Sequence, residues 1–218
     1  MGRQSIAAGA LFLKSWEVRM ALRGLIVGLG NPGTQYEGTR HNTGFMFLDA
    51  LMAAMTGLSA QSSRFHGKIW KGSFEGIPGE WLLAKPQTFM NLSGDCVQPL
   101  AAWHRIAPAS ILVIHDELDL EPGRIKFKFG GGNAGHNGLK SISERLGTPD
   151  FYRLRIGIGR GPGHDETIGW VLGRPSATDR EAIREMLPDG IACVRAFASG
   201  NTPEAARIAN AHKDAPAA

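Results

Sequence analysis

His41 is the residue of this chain best placed to do chemistry. It follows an apolar run, Leu25-Ile-Val-Gly-Leu29, by way of a glycine-rich turn that also carries Asn31. A strand opening into such a turn is where α/β proteins gather reactive side chains, beyond the carboxyl end of the strand. A second apolar run, Ser110 to His115, leads directly to Asp116. An imidazole of ordinary pKa about 6.5 is largely neutral near pH 7 and can take a proton from water, while a nearby carboxylate orients the ring and stabilises the imidazolium. His41 with Asp116 therefore reads as a water-activating base. G-x-S-x-G is absent, and Cys96 and Cys193 stand in no recognised pattern with a histidine, so direct attack by water is simpler than a covalent route. His115, one residue earlier on the strand, points to the face opposite Asp116 and reads as structural.

Asparagine carboxamides, among them those of Asn31, Asn91 and Asn137, donate and accept hydrogen bonds without titrating. Asn91 opens a helical segment and could be its N-cap. Two other readings of the motifs fail. Gly28, Gly30 and Gly33 satisfy G-x-G-x-x-G, but Pro32 and Thr34-Gln-Tyr-Glu-Gly38 postpone the helix that a dinucleotide phosphate needs. Asp49, at about the spacing of a ribose-binding carboxylate, lies within a helical run. The cluster His115-Asp-Glu-Leu-Asp119 lacks metal-ligand spacing or a second ligand group, so no metal is expected, and no cofactor.

The elements that position these residues alternate. Gly24 to Leu29 reads as a buried strand, and Asn42 to Met55 as a helix stopped by Gly57. Phe65 to Phe74 and Trp81 to Leu83 read as a hairpin around Gly76-Ile-Pro-Gly79, and Asn91 to Ile106 as a second helix. Ser110 to His115 is a strand that Asp116 just overruns; Arg124 to Phe129 and Leu154 to Ile158 are two more. From Ser176 three short helices follow, broken at Pro188-Asp-Gly190 and Gly200-Asn-Thr-Pro203. This pattern predicts an α/β three-layer sandwich: a mixed, mostly parallel sheet with helices on both faces.

The same residues carry a resemblance. GLGNPG after a strand, Tyr36, then Thr39-Arg-His-Asn42 and Gly44, resembles the opening of the bacterial-type peptidyl-tRNA hydrolases. Lys85-Pro-Gln-Thr-Phe-Met-Asn-Leu-Ser-Gly94, Ile114-His-Asp-Glu-Leu-Asp119, Gly130-Gly-Gly-Asn-Ala-Gly-His-Asn-Gly-Leu-Lys140 and Tyr152-Arg-Leu-Arg-Ile-Gly-Ile-Gly159 agree in order and spacing. The resemblance implies hydrolysis of the ester between a peptide and the terminal ribose of tRNA. It implies His41 as proton acceptor, Asp116 as stabiliser of its basic form, and Asn31 as the residue that separates blocked from free aminoacyl-tRNA. It further implies that Tyr36, Phe89 and Asn91 contact tRNA or its peptide, that Asn137 binds substrate on the other wall, and that Lys128 and Arg155 clamp the tRNA 5′-phosphate. The helices from Ser176 to Ala211 resemble the family's lid, and the family suggests a monomer. One departure stands out: Ala134 occupies a loop position where family members usually carry a small flexible residue, often glycine.

Bulk composition agrees. With 43% apolar and 20% charged residues, 218 residues suit one globular domain, expected over 22–212. A net charge of +4 and a pI near 9.3 favour an acidic partner such as RNA. The two unpaired cysteines suit a reducing cytoplasm. Residues 1–21 read as an N-terminal extension, poorly ordered, whose apolar run Ile6 to Leu13 is too short to span a bilayer, and 213–218 as a tail. No membrane association is expected.

Overall fold

A computed structural model describes residues 21–62, 64–161 and 167–211. The tail, and the N-terminal extension except Ala21, lie outside the described residues. Seven strands form one sheet: β1 (Leu22–Gly28), β2 (Thr56–Ala60), β3 (Gly67–Ser73), β4 (Glu80–Pro86), β5 (Ile111–Glu117), β6 (Ile125–Phe129) and β7 (Tyr152–Gly157), in the order β2-β3-β4-β1-β5-β7-β6. The parallel centre is β4-β1-β5-β7, while β3 and β6 run against the rest. The centre is parallel because its strands are apolar on both faces, so that helices must cover each side. On one side Ile26, Leu112, Ile114, Leu154 and Ile156 pack with α1 (Thr43–Ala53), α6 (Leu187–Ala198) and α7 (Thr202–Ala211). On the other, Leu25, Val27, Leu82 and Val113 pack with α2 (Gly94–Trp103) and α3 (Asn137–Leu146). Each such side chain, taken fully out of water, contributes about 1.5–3 kcal/mol. The expected three-layer α/β sandwich is the architecture found.

Several boundaries differ from the sequence reading, each for a local reason. β2 was not foreseen because all five of its residues are exposed, so it shows no apolar alternation. Gly57 lies inside β2 at φ 63°, and α1 has already ended at Ala53. The segment after Phe89 is a 3-10 turn, Met90–Leu92, and α2 starts only at Gly94. Pro188 does not break a helix: it sits in the first turn of α6, where its missing N–H costs nothing, and the break falls near Met186. Two further short helices, α4 (Thr167–Leu172) and α5 (Ala177–Glu185), complete the α-helices of the described residues, and 3-10 turns lie at Thr34–Tyr36, Arg40–Asn42 and Pro108–Ser110.

Gly44 brings the chemistry together. A Cβ there would meet Ile114 O at 2.4 Å and Leu29 N at 2.5 Å, so only glycine lets the start of α1 lie directly on the ends of β1 and β5. Phe45 N donates to Leu29 O (3.1 Å) and Leu29 N to Ile114 O (2.9 Å), stitching the three segments. The turn just before Gly44 carries His41, and β5 carries Asp116.

Candidate active site

Asp116 is the penultimate residue of β5, inside the strand rather than beyond it, and is 3% exposed. His41 Nδ1 lies 3.0 Å from each of its carboxylate oxygens. A second imidazole meets the same group: His136 Nε2 is 3.0 Å from Asp116 Oδ1. Burial alone would raise this carboxyl, but the two imidazoles, His136 foremost, outweigh it and hold it well below the usual carboxylate range. The group is thus an anion facing two rings.

The tautomers follow from the partners. His136 is the N-cap of α3, and its Nδ1 accepts from the backbone N–H groups of Gly138 (3.1 Å) and Leu139 (3.4 Å). Nδ1 therefore carries no proton, and Nε2–H donates to Asp116. His41 likewise turns Nδ1–H to the carboxylate, which leaves its Nε2 lone pair free to accept. A cavity of about 350 Å³ opens here, lined by His41, Asp116, His136, Asn137 and, from α4, Thr167, Ile168 and Val171. A water molecule in that cavity could lose a proton to His41 while its oxygen attacks a carbonyl.

Sequence reasoning quoted His136 inside a motif but gave it no role. Histidine is not a favoured N-cap, and only the fold carries this ring to Asp116. His115 lies on the opposite strand face as expected, yet its ring packs edge-on against His136 at 4.9 Å. Burial first, then the neighbouring His136, push it well below an ordinary histidine, so it stays neutral.

His41, Asp116 and His136 are the one group among the described residues whose spacing could also hold a metal ion. The polarity of His136 opposes it. A neutral histidine that ligates through Nε2 must carry its proton on Nδ1, where two N–H groups already point.

The other expected residues are distributed around this centre. Asn31 is clamped: the Asn42 side chain bonds its backbone N (2.8 Å) and O (2.9 Å), and Asn31 Oδ1 accepts Met90 N–H at 2.7 Å. With its oxygen engaged, Asn31 has its NH₂ left to offer. It lines a neighbouring cavity of about 440 Å³ together with Asn42, Trp70 and Lys85. Tyr36 and Phe89 meet edge to face at 6.4 Å, Phe89 being 55% exposed, and Asn91 is exposed on the turn just after it.

Lys128 and Arg155 share a sheet face at the β6–β7 edge but do not line the His41 cavity. Arg155 Nε donates to Glu117 Oε2 (2.8 Å), and Glu117 does line that cavity. Burial, then Arg155 and Arg153, hold Lys128 below an ordinary lysine, as befits cations gathered without enough counter-charge. α6 and α7 pack on the core, and of the described helices after β7 it is α4 that lines the cavity. Burial pushes both cysteine thiols up to about 12, which leaves them unreactive.

Ala134 takes φ 47°, the left-handed region. A side chain there costs about 1 kcal/mol, so Ala134→Gly should raise the melting temperature by about 2–4 °C in a calorimetric scan.

Comparison with known proteins gives a consistent result. A family model described as peptidyl-tRNA hydrolase matches residues 25–216. The peptidyl-tRNA hydrolase of Desulfovibrio desulfuricans is 52% identical over 194 residues, 87% of this chain and 85% of that protein. That of Neisseria gonorrhoeae is 47% identical over 184 residues, 84% of this chain and 95% of that one. The crystal structure of peptidyl-tRNA hydrolase from Acinetobacter baumannii superposes with a TM-score of 0.81 at 39% identity, covering 89% of this chain and 96% of that one.

Proposed function

This chain belongs to the peptidyl-tRNA hydrolase family, and from that premise we propose how it hydrolyses peptidyl-tRNA: water activated by His41 attacks the ester between peptide and tRNA, with no metal. The observation that carries the proposal is the His41–Asp116–His136 cluster, in which one imidazole is fixed as a donor and the other keeps a free basic nitrogen. The proton from water passes to His41 Nε2, and the imidazolium so formed faces the Asp116 carboxylate. The tetrahedral intermediate then collapses: the bond between the acyl carbon and the ribose oxygen breaks, the His41 imidazolium returns its proton to that oxygen, and the tRNA leaves with a free ribose hydroxyl and the peptide with a carboxyl group. The donor polarity of His136 supports the metal-free route.

In this reading Asn91 and Asn137 offer carboxamide donors to the substrate, Tyr36 and Phe89 present aromatic surface to the tRNA end, and Lys128 and Arg155 meet its 5′-phosphate. α4, rather than the C-terminal helices, walls the ester off from solvent. The enzyme acts as a cytoplasmic monomer that recycles tRNA from prematurely released chains.

Asn31 supplies the discrimination. Because its oxygen is taken by Met90 N–H, it presents only N–H donors, which suit the carbonyl of a blocked α-amide and repel the ammonium of a free aminoacyl group. Asn31→Asp replaces those donors with acceptors. Initial rates with N-acetyl-aminoacyl-tRNA and free aminoacyl-tRNA, run in parallel, test this. Wild type should cleave the blocked substrate at least about 100-fold faster, and the variant should narrow that ratio by about tenfold or more, roughly 1.4 kcal/mol of discrimination. An unchanged ratio in the variant would remove Asn31 from the specificity account.

A further inference from the structure

The stretch from Gly130 to Gly135 has no helix or strand to hold it. Gly130, Gly131, Ala134 and Gly135 all take left-handed backbone, at φ 61°, 93°, 47° and 76°. Yet this loop must deliver His136 to Asp116 within hydrogen-bond distance. What holds it is Arg153 on β7, which is completely buried. Its Nη1 donates to Gly132 O at 2.6 Å and its Nη2 to Gly131 O at 2.8 Å, with longer contacts of 3.5 Å to Asn133 Oδ1 and Pro149 O. Asn133 Oδ1 also accepts from Ser143 Oγ on α3 (3.2 Å), and Asn133 O accepts His136 N–H (2.8 Å). A continuous set of bonds thus runs from the sheet through Arg153 and the loop to His136.

We propose that Arg153 is a positioning residue for hydrolysis: its guanidinium pins the Gly131–Asn133 backbone to the sheet and so keeps His136 against Asp116 and Asn137 at the cavity wall. The proposal rests on the reading above that His41 and Asp116 form the catalytic pair. Two observations separate this role from plain stabilisation. The hydrogen-bond partners of Arg153 are neutral oxygens, and a cation buried without a carboxylate is a poor source of stability compared with a well-packed apolar side chain. Three of those four bonds also converge on the loop that leads directly into His136 and Asn137, whereas the neighbouring Arg155 turns its Nε to Glu117. Arginine is required because its planar fork reaches two successive carbonyls at once, and a lysine ammonium would satisfy only one of them well.

The test uses the full chain with Arg153→Lys and Arg153→Met. Steady-state kinetics on N-acetyl-aminoacyl-tRNA, thermal unfolding, and the nitrogen-15 NMR signals of the His136 ring are measured on each. Both variants should unfold cooperatively and lose about 10- to 100-fold in kcat, with KM within about threefold of wild type. The His136 Nε2–H signal should shift or vanish as its bond to Asp116 loosens. A kcat within about threefold of wild type in either folded variant would overturn the proposal. So would a loss confined to KM, which would move Arg153 to tRNA binding, or a fall in kcat with the His136 signal unchanged. If Arg153→Met does not fold, Arg153→Lys decides. Should wild type itself show no hydrolysis, the functional reading fails, while the NMR signals still report whether Arg153 holds the loop.

Discussion

His41→Ala should lower kcat for N-acetyl-aminoacyl-tRNA by about 10²- to 10⁴-fold, equivalent to roughly 3–5.5 kcal/mol of barrier, with KM little changed. The range is that of general-base catalysis. An ester is far easier to hydrolyse than an amide, so one base and a few positioned donors suffice, and removing the base removes most of the acceleration. The variant should fold normally, because the His41 side chain is 13% exposed at the rim of a cavity and packs in neither core layer. Single-turnover hydrolysis with saturating enzyme separates the chemical step from binding. A variant that keeps more than about a tenth of the wild-type rate would remove His41 from the role of base.

Asp116→Asn should be at least as damaging, by about 10³- to 10⁴-fold in kcat, for a reason specific to this site. The carboxylate accepts from two imidazoles, and a carboxamide has only one oxygen to give. His136 cannot change its tautomer while Gly138 and Leu139 donate to its Nδ1, so it keeps the oxygen. His41 Nδ1, 3.0 Å from both side-chain positions, then shares that one oxygen and faces an NH₂ group at the other, which drives its proton towards Nε2 and removes the lone pair that faces the cavity. The imidazolium also loses its counter-ion. Kinetics of Asp116→Asn across pH 5–9 would show the loss at every pH, since protonation does not restore an acceptor; recovery of wild-type kcat anywhere in that range would contradict the argument. The wild-type carboxyl itself is held well below its ordinary value. Its contribution to folding is therefore fully present above the unfolded value of about 3.9 and is lost only as pH falls through the lowered folded value. No change in activity between pH 5 and 8 should come from this carboxylate.

The parts of this site legible in the sequence are those whose signal is local. The apolar run into GLGNPG marks β1, and the run into His115-Asp116 marks β5; two strand ends of an α/β sheet are where side chains converge. Strand alternation also put His115 and Asp116 on opposite faces. What escaped was set by tertiary contact. His136 precedes Asn137 in a glycine-rich stretch, and nothing in its neighbours says that its ring reaches a carboxylate twenty residues back while two amides fix its proton. Arg153 and Arg155 alternate onto the same face of β7, so sequence cannot tell which grips the loop and which pairs with Glu117. β2 left no trace because an exposed edge strand needs no apolar face. Pro188 was misread because proline signals the start of a helix as readily as its end.

The most direct test of the central claim is release of acetyl-amino acid from N-acetyl-aminoacyl-tRNA by the wild-type protein, with and without an excess of chelator. The account predicts equal rates in the two conditions and a tRNA product that can be charged again. Binding of the tRNA without cleavage, or cleavage abolished by chelator and restored by a divalent ion, would contradict it.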